Sequence, residues 1–345
     1  FYRVKKEVFI MKARSFKKFF VSIALSAILT FSSTAAVFAA TAQLSLAEQS
    51  ANSIQEDTDT PSVDDSDAQA AAASYLTSGS GIQQVAASVN SITVQWSSVS
   101  NADKYAVSIS NFNSSSYRFL GYVGNTRNKV TINKLKAGTA YNIKLTALNS
   151  SGTAISSRTA GCTTLYTSVN IKSSYAAGNG YTFNMATVNP SNSISGYKVI
   201  YQSYASKKAV TKYFNTRYSF TLPMSGTAFY QVKIYPYIIL NNKRYVSSSA
   251  TTRYVATGVT LQKAGNTSTS MSVKWNRISG ATNYTVYIKY PGNSSFKKVN
   301  TTTSNSFTLT GMKKNFKYGI KIIANKKVKN KTWHSYAKVY NMSLV

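Results

Sequence analysis

The chain of 345 residues carries forty Lys and Arg against nine Asp and Glu, for a formal net charge of +31. That length accommodates about two average domains, or more if the modules are small. A single His and a single Cys exclude an intramolecular disulfide framework and leave a metal centre short of ligands.

The first segment reads as a targeting signal. Residues 1–10 open on Phe and read as upstream sequence, with translation starting at Met11. Lys12, Arg14, Lys17 and Lys18 precede the apolar run FFVSIALSAILTF at 19–31, and Ala40-Thr41-Ala42 fits an A-x-A cleavage site before Gln43. The pattern predicts a secretory signal peptide cleaved after Ala42, with an apolar run too short for a comfortable membrane span. No cysteine lies near the cleavage site to take a lipid anchor, and the C-terminus carries no recognised sorting motif. An exported chain that manages without disulfides suits a bacterium. The expected location is extracellular or loosely cell-wall associated, with no transmembrane insertion of the mature form.

Residues 43–81, rich in Ala, Ser, Thr, Asp and Gln, hold seven of the nine acids and read as an acidic disordered linker. From residue 82 onward thirty-three Lys and Arg face the single acid Asp103. The texture there changes to alternating Tyr, Val, Ile and Thr broken by Asn, Gly and Ser clusters, the pattern of many short strands. Cys162 reads as a small strand residue.

An internal repeat runs through this region. ITVQWSSVSNADKYAVSI (92–109) aligns with MSVKWNRISGATNYTVYI (271–288), so that Trp96 precedes Tyr105 and Trp275 precedes Tyr284 by nine residues each. VTINKLKAGTAYNIKL (130–145) matches FTLTGMKKNFKYGIKI (307–322), and FTLPMSGTAFYQVKI (220–234) supplies a third, looser copy. Tyr141, Tyr230 and Tyr318 recur 89 and 88 residues apart. Three modules follow, at 82–165, 166–256 and 257–345. About seven alternating segments in each predict antiparallel β-sandwiches, with Trp96, Tyr105, Tyr197, Trp275 and Tyr284 in the core. Tyr141, Tyr230 and Tyr318 stand where a buried ring lends its hydroxyl to upstream backbone.

Through Trp96, Tyr105 and LKAGTAY (135–141), and through Trp275, Tyr284 and residues 312–318, the modules resemble fibronectin type III domains. The resemblance implies an all-β chain of three tandem immunoglobulin-like sandwiches. The middle module diverges: Met185 replaces the tryptophan, and Pro236 falls where the others have Ala147 and Ala324. A proline cannot donate to a ladder, so a bulge or an early strand end is expected at Pro236.

Enzymatic chemistry finds little to work with. A glycosidase of the usual kind needs two carboxylates, and a Ser–His–acid triad would have to join His334 in the third module to Asp103 in the first. No metal and no cofactor is expected. The chain's lone histidine instead sits in NKKVKNKTWHSYAKVY (325–340). Strand alternation predicts strand G of the third module over 333–340, with Ala337 and Val339 inward and His334, Tyr336, Lys338 and Tyr340 outward. Tyr287, Lys289 and Lys321 would share that outer face, beside an F–G loop at 325–332 carrying Lys326, Lys327, Lys329 and Lys331. The F–G loop is a place where the resemblance implies ligand contact. A solvated hairpin blunting a sheet edge is the competing reading.

These features point to a secreted, non-enzymatic binding or adhesion protein, engaging an anionic polymer, glycan or host surface protein. A signalling effector of the irisin or cytokine-receptor type, released by cleavage near Arg158 or Arg253, is a second reading, and extracellular nucleic-acid binding a third. The acidic linker, opposite in charge to the modules, would compete with an external polyanion. Deleting residues 43–75 should then strengthen binding to immobilised heparin at low salt; unchanged binding removes that idea.

Overall fold

The computed structural model describes residues 81–178, 180–206 and 208–344. The signal segment, Ala42 and all of the acidic linker except Gly81 lie outside the described residues. Alternating apolar side chains organise the described chain into antiparallel sheets around three separate cores.

Around the first core, β1 (Ile82–Ala87), β2 (Ile92–Trp96) and β5 (Lys129–Ile132) form one sheet. The other has the order β4 (Arg118–Gly124), β3 (Lys104–Asn111), β6 (Ala140–Leu148) and β7 (Ala154–Thr163). Strand β6 alternates without a fault, burying Tyr141, Ile143, Leu145 and Ala147. Trp96 meets Tyr105 edge-on at 5.3 Å between ring centroids, an arrangement worth about 1 kcal/mol beyond the area it buries.

The middle core lies between the sheet β12 (Ser219–Pro223), β9 (Gly180–Met185), β8 (Ile171–Ala177) and a larger one. The larger sheet runs β11 (Ala209–Phe214), β10 (Gly196–Ser203), β13 (Tyr230–Leu240), β14 (Lys243–Val246), with β15 (Thr251–Val255) also paired to β13. Here Met185 is buried in place of the tryptophan, and Phe220 centres a cluster of aromatic rings in the same core. Its ring lies 5.4 Å from Phe183, 4.6 Å from Phe214 and 5.8 Å from Tyr197.

The last core repeats the first arrangement. One sheet is β16 (Leu261–Asn266), β17 (Met271–Trp275), β20 (Ser306–Leu309). The other is β19 (Lys297–Thr302), β18 (Asn283–Lys289), β21 (Lys317–Val328), β22 (Lys331–His334), with β23 (Val339–Ser343) also on β21. Trp275 meets Tyr284 edge-on at 5.5 Å.

In all three, the later tyrosine pins a turn. The hydroxyls of Tyr141, Tyr230 and Tyr318 accept from the backbone N–H of Lys136, Ser225 and Lys313 at 3.0, 3.0 and 2.7 Å. Each such bond is worth about 1 kcal/mol net.

Two expectations need correction. Pro236 causes neither a bulge nor an early end: β13 continues to Leu240, with Tyr197 opposite Pro236 and Gly196 opposite Tyr237. The Pro236 carbonyl accepts from Ser247 N at 2.9 Å, which places its nitrogen on the same edge. That edge is the gap where β13 changes partner from β15 to β14, so no ladder donor is lost. In the last sandwich Ala324 occupies the corresponding gap, and its N–H goes instead to the Ser335 hydroxyl at 3.1 Å.

Strand G of the last sandwich is likewise split, and this overturns the predicted facing of Val339 and Tyr340, while His334, Tyr336 and Lys338 are exposed as expected. Ser335 turns inward, donating its N–H to Ala324 O at 2.9 Å. The register then advances by one residue, from Asn325 opposite His334 to Lys321 opposite Val339. A one-residue slip reverses which side chains face in. Val339 is therefore 45% exposed while Tyr340 packs on the core, the reverse of simple alternation.

Burial, with Tyr166 nearby, pushes the Tyr197 phenol up to about 12, and burial also raises Tyr166 and Tyr181. Unfolded tyrosines ionise near 10. A raised folded value means the stability is complete below about pH 10 and is lost as the pH climbs toward about 12. Tyr197→Phe should reduce that alkaline loss by at most about 3 kcal/mol, read by urea denaturation at neutral and alkaline pH. An unchanged alkaline loss would show that this phenol is not the group responsible.

Candidate functional site

The residues 325–334 do not form an open loop. Strand β21 runs on to Val328 and pairs directly with β22, Val328 opposite Lys331, leaving a two-residue turn at Lys329 and Asn330. Lys329 takes the left-handed conformation that turn requires (φ 52°). The first F–G connection is different, with residues 149–153 closed by Asn149, whose side chain accepts from Thr153 N at 2.8 Å.

Lys326 leaves the predicted ligand-binding set. It is only 8% exposed, and its ammonium donates to Gly280 O at 3.0 Å while lying 3.6 Å over the Tyr204 ring. Tyr204 belongs to the loop after β10, so this cation clamps the last sandwich to the middle one. Burial lowers the lysine's pKa from its ordinary value. Gly280 is needed for the approach: a Cβ there would stand 2.7 Å from the Tyr204 ring, at a φ of 82°.

Opposite Lys326 in the hairpin, Trp333 extends the contact. Its ring lies 5.5 Å from Tyr254 on β15, with Arg253 5.8 Å and Lys331 4.4 Å from it. Backbone bonds tie the same junction: Phe229 N donates to Ser279 O, Ser279 N to Thr227 O, and Tyr336 N to Ala256 O. The hairpin β13–β14 has the equivalent role at the preceding junction. There Ile238, Leu240 and Tyr245 pack with Ala87 and Leu165, and the Tyr245 hydroxyl donates to Val85 O at 2.7 Å.

His334 sits at the exposed edge of this hairpin. Its Nδ1 is 2.7 Å from Asn325 Oδ1, and the Asn325 amide donates to Asn283 Oδ1 at 2.7 Å and Thr285 Oγ1 at 2.8 Å. An accepting Asn325 oxygen sets Nδ1 as the donor, so the histidine closes a structural network. Lys327 and Lys329 are exposed on the hairpin, and Tyr336 is exposed beyond it. Lys338 lies 5.2 Å over Tyr340. Lys338 and Tyr340 lie beyond the break at Ser335 that separates them from the hairpin carrying Lys327 and Lys329.

Tyr287, Lys289 and Lys321 do converge. Tyr287 and Lys321 are cross-strand partners, and Phe296, from the loop after β18, folds back above them. The Lys321 ammonium lies 4.7 Å from Tyr287 and 4.5 Å from Phe296, with Lys289 5.8 Å from Phe296. Gly319 makes room for that ring: a Cβ there would come within 3.2 Å of Phe296 and of Lys289. The arrangement offers an ammonium between aromatic walls, suited to an anionic group on a ring-shaped ligand. Sequence reasoning missed Phe296, Tyr204 and Tyr254, because all three act across loops or junctions rather than along one strand.

Among the described residues, no group of three or more His, Cys, Asp and Glu could hold a metal. Burial pushes the Cys162 thiol far up from its ordinary value, keeping it protonated in the first core. No described helix is long and apolar enough to cross a membrane. Arg158 and Arg253 lie within β7 and β15, and the Arg158 guanidinium donates to Ser97 O at 3.0 Å. Cleavage at either would first require its strand to leave the sheet.

Residues 80–161 and 256–339 match the model of the fibronectin type III domain. No curated protein matches the chain. Among solved structures the chain is similar to the FN1–FN3 domains of chicken CNTN1, with 14% identity over 76% of this chain and 97% of that one, at a TM-score of 0.28. It is also similar to a segment of two fibronectin type III domains from chicken tenascin, with 11% identity over 77% and 98%, at a TM-score of 0.24. At such scores neither likeness carries an argument about this chain.

Lys326→Ala should remove both the bond to Gly280 and the cover on Tyr204, loosening the junction at a cost of about 1–3 kcal/mol. Differential scanning calorimetry should show the last transition moving down in temperature, and proteolysis at residues 256–260 should quicken. A variant as stable and as resistant as the parent would contradict the clamp.

Proposed function

We propose, from the matches of residues 80–161 and 256–339 to the fibronectin type III domain, a secreted, non-enzymatic binding protein of bacterial origin that engages anionic polymers through basic modules. The middle sandwich is read as a third, diverged module, because it repeats the pinned tyrosine and the two-sheet arrangement. Export rests on the signal pattern ending at Ala42, which places the chain outside the cell or loosely on its wall. The non-enzymatic reading rests on the supply of groups among the described residues: one acidic side chain, Asp103, one exposed histidine engaged with Asn325, and one buried thiol.

The observation that carries the ligand class is the face of Tyr287, Phe296, Lys289 and Lys321. An ammonium there is held by rings, and no carboxylate among the described residues neutralises its charge. An incoming sulfate, carboxylate or phosphate supplies the missing counter-charge, while a ring of the ligand packs on Tyr287. Adhesion to an anionic glycan, on a wall or a host surface, follows from the same chemistry.

The test is binding of the full chain to a glycan array and to soluble heparin at low and at physiological salt. Affinity should fall steeply and log-linearly with salt, as counterion release requires. Binding that ignores salt, or no binding to any anionic polymer, would overturn the proposal.

A further inference from the structure

The face on the last sandwich has a counterpart on the first that composition alone does not reveal. In the repeat, YNIKL (141–145) aligns with YGIKI (318–322), so Lys144 corresponds to Lys321. The loops after β3 and β18 also correspond: NSSSYR (113–118) and NSSFK (293–297) each place an Asn-Ser-Ser run just before an aromatic and a cation. Lys144 lies 5.5 Å over the Tyr117 ring, as Lys321 lies 4.5 Å over Phe296.

The backbone repeats too. Strands β3 and β4 shift register between Val107 and Ser108, and β18 and β19 shift between Val286 and Tyr287. The extra residues are Leu120 and Val299, at equivalent places in the two copies. A bulge re-aims the side chains beside it. In the row next to it, Ser108 faces Phe119 in the first copy and Tyr287 faces Lys298 in the last. In the last copy Tyr287 stands directly next to Lys321, whereas in the first copy Phe119 stands one strand further out, across Ser108 from Lys144. Phe119 is 51% exposed and Tyr122 55%, with their rings 4.9 Å apart and Lys104 5.0 Å over Tyr122.

The middle sandwich lacks this assembly. Lys233 holds the matching strand position, yet β10 and β11 pair from Tyr197 to Gln202 with no shift in register. The aromatic of its loop, Tyr204, lies under Lys326 at the junction. A device present at both ends, with its bulge, and absent between them is more than general basicity.

We infer that the protein is bivalent, with one subsite on the first sandwich (Lys144, Tyr117, Phe119 and the loop 113–116) and one on the last (Lys321, Phe296, Tyr287 and the loop 293–295), each taking one acidic sugar ring of a polysaccharide. The inference rests on the proposed anionic-polymer reading and assigns that reading its places. In each subsite the lysine meets the acid group, the aromatics pack against the sugar's C–H face, and the Asn-Ser-Ser loop offers donors and acceptors to hydroxyls. The charge match favours this occupant, since Asp103 is the only acid among the described residues. A nucleic acid would need a run of ring platforms for successive bases, whereas each copy offers one small platform beside a hydroxyl-rich loop.

The full chain is titrated with a heparin tetrasaccharide by calorimetry and with long heparin by surface plasmon resonance. The variants are Lys144→Ala, Lys321→Ala, their combination, and Lys233→Ala. The parent should bind two tetrasaccharides, each single variant at an end one, and the combination none. Loss of either end should weaken long-heparin binding by roughly 100-fold through lost bivalency, while Lys233→Ala keeps two sites and changes affinity little. Unchanged thermal unfolding confirms that the variants remain folded. If Lys233→Ala weakens long heparin as much as the end variants, or tetrasaccharide stoichiometry fails to drop, the two subsites are wrong although polyanion binding stands. If the parent binds no heparin, the underlying ligand class is wrong. If single-stranded DNA binds more tightly than heparin and loses that binding in the same variants, the occupant is a nucleic acid and the inference fails.

Discussion

The constraint that shapes this molecule is the shortage of carboxylates in its folded region. Beyond residue 81 thirty-three Lys and Arg share the sequence with one acid, Asp103. A cation drawn toward the protein interior must then be held by carbonyl oxygens or by the faces of aromatic rings, since an uncompensated buried charge is costly. The structure uses both. Lys326 combines Gly280 O with the Tyr204 face, Arg158 takes Ser97 O, and Arg244 lies 4.3 Å from Tyr213 and 4.8 Å from Tyr237. Tyrosine is the natural partner in a sheet, where it also favours the strand itself.

That solution has two consequences. At the second junction it fixes one sandwich on the next, through Lys326 and Trp333 of the hairpin β21–β22, where the hairpin β13–β14 at the first junction uses apolar side chains and the Tyr245 hydroxyl. On the open sheet faces, by contrast, an ammonium held by rings keeps its full charge available to an outside anion. The same pairing therefore serves cohesion where it is buried and, as proposed, recognition where it is open. Which it does is decided by burial, not by residue type.

Much of the fold was legible because its signals are local. Trp96–Tyr105 and Trp275–Tyr284 keep a fixed spacing, and Tyr141, Tyr230 and Tyr318 each close a bond to a backbone five residues upstream. Alternation within a single unbroken strand, as in β6, could be followed directly. It failed in strand G of the last sandwich because Ser335 leaves the ladder and the register slips by one, an event set by a hydrogen bond to a distant strand. It failed at Pro236 because the edge that loses a donor happens to be a gap. The candidate site was half legible: Tyr287, Lys289 and Lys321 share a face by strand parity alone. Lys326 looked identical to its neighbours Lys327 and Lys329, and only the approach of Tyr204 and Gly280 from beyond the hairpin distinguishes it. The equivalence of Tyr117 and Phe296 was present in the repeated Asn-Ser-Ser runs, but its meaning depends on the shared bulge.

The central claim is that recognition resides in two ring-bounded lysines and not in charge at large. Reductive dimethylation of the lysines, followed by NMR titration of the full chain with a heparin tetrasaccharide, reads each ammonium separately. The account predicts that Lys144 and Lys321 shift first and together, while Lys326 and Lys233 stay in place until ligand is in large excess. Uniform movement of all lysines, or a first response at Lys327 and Lys329 on the hairpin, would contradict it.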